Sequence, residues 1–106
     1  MNLRLQTLSE NVANANDIFF AENKNTKTTL GIMDKVLRKQ GMQADAITVE
    51  LVSSDKKIVF LLHDCRPDVA EVALGNKKGD IYSSAEYTEA QLTVPSILTI
   101  MKSNFL

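Results

Sequence analysis

The run Ile58-Val59-Phe60-Leu61-Leu62 is apolar on both faces of any strand it forms. A strand of that kind belongs inside a sheet, with something covering each side. The run predicts a strand from Lys57 to Cys65. It is preceded by the polar turn Ser53-Ser54-Asp55-Lys56 and broken by Arg66-Pro67-Asp68. On its N-terminal side Ala46–Val52 alternates, with Ile47, Val49 and Leu51 on one face and Thr48 and Glu50 on the other. On its C-terminal side Val69–Leu74 reads as a third strand and Ile81–Glu86 as a fourth. Asn76-Lys77-Lys78-Gly79 between them suits a hairpin turn with glycine in the left-handed position. Strands joined by such short turns make an antiparallel meander.

The flanks carry helical spacing. Leu5, Leu8, Val12, Ala15 and Phe19 fall on one stripe of a helix over 3–22, and Thr7-Leu8-Ser9-Glu10 fits a capping box. Its many asparagines are poor helix formers, so packing has to hold it. A polar loop over 23–28 follows. A second helix is expected from Leu30 to Gln40, with Ile32, Met33, Val36 and Leu37 inward and Gly41 as its stop. Pro95 suits a helix first turn, and Val94, Ile97, Leu98, Met101 and Phe105 make a C-terminal stripe. The expected fold is α+β: a four-stranded antiparallel meander with two N-terminal helices and one C-terminal helix, in the order α-α-β-β-β-β-α. A chain of 106 residues with 44% hydrophobic side chains supports one core, and residues 1–106 read as a single domain.

Lys and Arg number 12 against 13 Asp and Glu, giving a formal net charge of −1. That balance disfavours a general nucleic-acid binder. Lys56-Lys57 and Lys77-Lys78 sit in two turns, and with Lys35, Arg38 and Lys39 they form a basic patch only if the fold gathers them. No stretch is apolar enough for a membrane span, so no membrane partner is expected. The N-terminal residues lack the apolar core of a secretory signal, and Cys65 has no second cysteine to pair with. The expectation is a cytoplasmic protein.

His63 and Cys65 are the single histidine and the single cysteine, two apart on one strand and therefore on one face. A nucleophilic thiol needs a base beside it and a group to orient that base. Asp64 points to the other face, and Asp55 or Asp68 serve only if the fold brings them near. The plainer reading is a small buried thiol and a strand-end histidine. The carboxylates are scattered, and one cysteine cannot build a thiolate zinc site. No catalytic residue, metal or cofactor is assigned.

The remaining signal is surplus apolar surface. Short helices gathered on one side of the sheet leave Val59, Leu61 and Cys65 facing outward, beside either Ala70, Val72 and Leu74 or Val69 and Ala73. An open apolar face is a place for a partner subunit. The stripe with Leu8 and Val12 could also pack on a second chain. The leading expectation is a small non-catalytic protein (adaptor, chaperone-like or regulatory) that acts through protein–protein contact, as a homodimer or with another protein. A small-molecule site or thiol-dependent hydrolase at His63 and Cys65, and weak nucleic-acid binding through the turn lysines, are the alternatives.

Overall fold

A computed structural model describes residues 3–106; Met1 and Asn2 lie outside them. Helix α1 (Leu3–Glu22) leads into β1 (Thr28–Met33), a one-turn helix α2 (Val36–Lys39), and strands β2 (Ala44–Leu51), β3 (Lys57–His63), β4 (Val69–Gly75) and β5 (Ile81–Thr88). A 3-10 turn (Glu89–Gln91) and helix α3 (Val94–Phe105) complete the chain. The strands form one antiparallel sheet in the order β1-β2-β3-β4-β5. The fold is α+β, as the sequence predicts, with five strands in place of four.

The extra strand is the main correction. Residues expected to open a second helix are extended, pairing Thr28 with Leu51 through Met33 with Ala46. Two threonines and Ile32 favour a pleated backbone, and Gly31 disfavours a helix interior. Gly31 also fits its place: a Cβ there would lie 2.8 Å from the Thr48 hydroxyl on β2. Helical structure shrinks to Val36–Lys39. It stops at Gly41, whose φ of 89° is the left-handed conformation expected of it.

Both long helices pack on one face of the sheet. Leu5, Leu8, Val12, Ala15 and Phe19 of α1 are all buried, as are Ile97, Met101 and Phe105 of α3. They close over Ile47, Val49, Ile58, Phe60, Leu62 and Val72. Phe19 and Phe105 meet edge to face, with ring centroids 6.0 Å apart. Leu8 and Val12, read in the sequence as a surface a second chain could take, are spent on this chain's own sheet.

Polar contacts fix the helix ends. The Arg4 guanidinium donates to the carbonyls of His63 (3.2 Å), Arg66 (2.9 Å) and Val69 (2.5 Å), and pairs with Glu89. That anchor ties the first turn of α1, which precedes the Thr7 capping box, to the β3–β4 turn. Thr88 and Gln91 cap the 3-10 turn reciprocally, and the Thr93 hydroxyl accepts from the Ser96 amide at the start of α3.

Arg38 forks between two carboxylates. It donates to both oxygens of Asp45 at 3.0 Å and to those of Asp64 at 2.7 and 2.9 Å. Asp45 is buried and Asp64 exposed. These bonds raise the Arg38 pKa and lower that of Asp64 below its ordinary 3.8. A depressed carboxylate contributes stability above its unfolded pKa and loses it as pH falls through the folded one. Asp64→Asn should therefore be less stable than wild type near neutrality, and the gap should close below about pH 4. Denaturant midpoints measured from pH 2 to 7 check this; a gap unchanged with pH would refute it.

Candidate open-face binding site

The face away from α1 and α3 carries Val59, Leu61 and His63 of β3, since side chains alternate along the strand. Register places Thr48 and Ala73 beside Val59, and Ala46 and Glu71 beside Leu61. The sequence left open which β4 residues would share this face. Register assigns Val69, Glu71 and Ala73 to it, while Ala70, Val72 and Leu74 lie on the helix side. Val59 and Leu61 are half-buried among their sheet neighbours and belong to no part of the core beneath the helices. One of the two direct neighbours of each is small, Ala73 beside Val59 and Ala46 beside Leu61, and Gly31 lies beyond Thr48 on β1.

Ion pairs frame this strip. Lys57 Nζ lies 3.6 Å from Glu50 Oε1, its direct cross-strand partner. At the opposite end of the strip Glu71 stands directly across from Glu86, a like-charge pairing that by itself destabilises a sheet. Each of the two has its own side-chain partner. Arg66 forks onto Glu86 at 2.5 and 2.6 Å, which lowers the Glu86 pKa and raises that of Arg66. His63 Nε2 reaches Glu71 Oε2 at 3.6 Å. An apolar centre within a polar rim is how protein interfaces are built.

His63 and Cys65 are placed differently from the sequence reading. Strand β3 ends at His63, where the Arg66 amide turns back onto the His63 carbonyl at 3.2 Å. Cys65 therefore sits exposed on the turn, beyond the alternation that would have set it on the histidine's face. The three aspartates weighed as partners are occupied or distant. Asp64 is held by Arg38, and Asp55 accepts from the Lys77 amide at the far end of the sheet. Asp68 makes no ion pair among the described residues. The group that meets His63 is Glu71, one diagonal step across β4. The length of the 64–68 turn hid that register in the sequence.

The hollows on the helix side do not gather a reaction centre. The groove between β5 and α3 holds about 250 Å³ and is lined by Val72, Leu74, Ser83, Ala85, Tyr87 and Ile100 among others. A smaller hollow by Arg4 and Asn11 holds about 30 Å³, room for a single water. Among the described residues no three His, Cys, Asp or Glu side chains converge on a common point for a metal, and no helix is long and apolar enough to cross a membrane. Comparison with protein-family models, curated proteins and solved structures returned no match.

Proposed function

We propose that this chain works through protein–protein contact, as an adaptor, chaperone-like or regulatory protein, and that the open sheet face joins it to a second copy of itself. The observation that carries this reading is the strip of Val59 and Leu61, flanked by Ala46 and Ala73 and framed by the pairs Glu50–Lys57, His63–Glu71 and Arg66–Glu86. Two features favour a second copy. The ion pairs Glu50–Lys57 and Arg66–Glu86 match four of the rim charges within the face, so two identical faces meet without a large like-charge excess. The small residues beside the strip let another sheet approach to the usual spacing of about 10 Å. One exposed, unpaired thiol at Cys65 suits a reducing, cytoplasmic setting.

Leu61→Asp is the test. A charge at the centre of the contact should weaken self-association by at least about thirtyfold. Sedimentation of wild type should give a dimer and of the variant a monomer, with helix and sheet signals retained in far-UV circular dichroism. A wild-type chain that stays monomeric at high concentration, or a variant that remains dimeric, overturns the reading.

A further inference from the structure

Five lysines collect at one end of this nearly neutral molecule. The cross-strand pairs Thr28–Leu51, Glu50–Lys57 and Gly75–Ile81 put three loops, 23–27, 52–56 and 76–80, at the same end of the sheet. They are tied to one another: the Val52 amide donates to the Lys27 carbonyl at 2.9 Å, and the Lys77 amide to Asp55 Oδ1 at 2.9 Å. These loops carry Lys24, Lys27, Lys56, Lys77 and Lys78, with Lys57 at their edge. Their own carboxylates, Asp55 and Asp80, accept hydrogen bonds from neutral amides that shape the turns, so the three loops carry five positive charges against two negative. Among the described residues none of the five loop lysines has an ion-pair partner. The arginines do: Arg4 holds Glu89, Arg38 holds Asp45 and Asp64, and Arg66 holds Glu86, all at the opposite end. The overall charge of −1 therefore conceals a basic end.

We infer that this end docks on an anionic lipid surface. Charge complementarity is the first argument. A cluster of four to eight basic residues near a surface is the size that holds a chain to acidic headgroups, at about fivefold in affinity per lysine. The second argument distinguishes lipid from nucleic acid. Every free cation here is a lysine, a point charge, and the guanidinium forks that match phosphodiesters and bases are already taken. The same loops and the strand they open into expose Val52, Ile81 and Tyr82, each more than half exposed. A phosphate backbone gives Val52 and Ile81 nothing to bury against. The headgroup–acyl boundary takes aliphatic tips and a tyrosine ring beside lysines. The expectation of no membrane partner rests on the lack of a spanning segment, and a peripheral contact of this kind needs none. It uses a different surface from the open sheet face, so either assignment stands or falls without the other.

The test is pelleting of the full chain with phosphatidylcholine vesicles containing or lacking about 30% phosphatidylserine, at low and physiological salt. The expected result is partition onto the acidic vesicles alone, weakened by salt. K56A/K77A/K78A should reduce it about a hundredfold. I81S/Y82S, which leaves every charge in place, should reduce it at least about tenfold. Unchanged circular dichroism of both variants shows that the sheet has survived. Failure to bind acidic vesicles at low salt overturns the inference. So does indifference to either variant, or tighter binding to a DNA duplex at equal phosphate concentration, which would assign the lysines to nucleic acid.

Discussion

Phe60→Ala should lower the free energy of unfolding by about 3–5 kcal/mol. Phe60 is fully buried on β3, the middle strand, paired across to Ile47 and Val72 and roofed by the two long helices. Truncation removes a large apolar surface from the core. It also leaves a void that the neighbours cannot fill, since the helices are pinned at Arg4, Asn11 and the Phe19–Phe105 contact. A chain of this size has roughly 5–15 kcal/mol to lose, so the variant should sit near the edge of folding. The control is the next residue. Leu61 lies on the other face, and Leu61→Ala should cost about 1 kcal/mol or less in the monomer. Urea titrations of the two variants check the contrast. Equal destabilisation would mean that both faces are sealed within one chain, and it would remove the basis for an open-face contact.

That contrast is legible in the sequence, because β3 is apolar at every position between Ile58 and Leu62 and the helical stripes are too few to cover both sides. The stripe of α1 was equally plain, and its five buried residues are the five that the spacing picks out. Three things were not legible, and each depends on long-range placement. Thr28–Met33 satisfies a strand pattern and, with Val36 and Leu37, a helical one. Only the free edge of β2 and the bare backbone of Gly31 against Thr48 decide between them. The stripe of Leu8 and Val12 shows that something covers it, but not whether the cover is this chain or another. The turn lysines at 56–57 and 77–78 look alike in the sequence, as do Lys35, Arg38 and Lys39. The meander sends the first two groups to one end and α2 to the other, where Arg38 is consumed by Asp45 and Asp64.

Gly75→Ala should be the most damaging single-methyl substitution in the sheet's loops and edges, at about 3 kcal/mol. The glycine stands at the end of β4, opposite Ile81, where the β4–β5 register is irregular. A Cβ there would lie 2.0 Å from the Asp80 carbonyl oxygen and 3.0 Å from its carbon. Those are backbone atoms, and the same carbonyl accepts the Asn76 amide at 3.0 Å to close the turn. The clash cannot be relieved by rotating a side chain; the turn has to open. Gly79 in the same turn is the comparison. Its φ of 102° penalises a side chain, but nothing stands within 4 Å of where a Cβ would be. Gly79→Ala should therefore cost only about 1–2 kcal/mol, through conformation alone. Amide exchange should separate the two mechanisms: Gly75→Ala raises exchange across residues 76–82 by more than it lowers global stability, whereas Gly79→Ala leaves the turn protected. Wild-type exchange at these amides in Gly75→Ala would show that the hairpin can shift to admit the methyl, and that the bulge beside Gly75 is compliant.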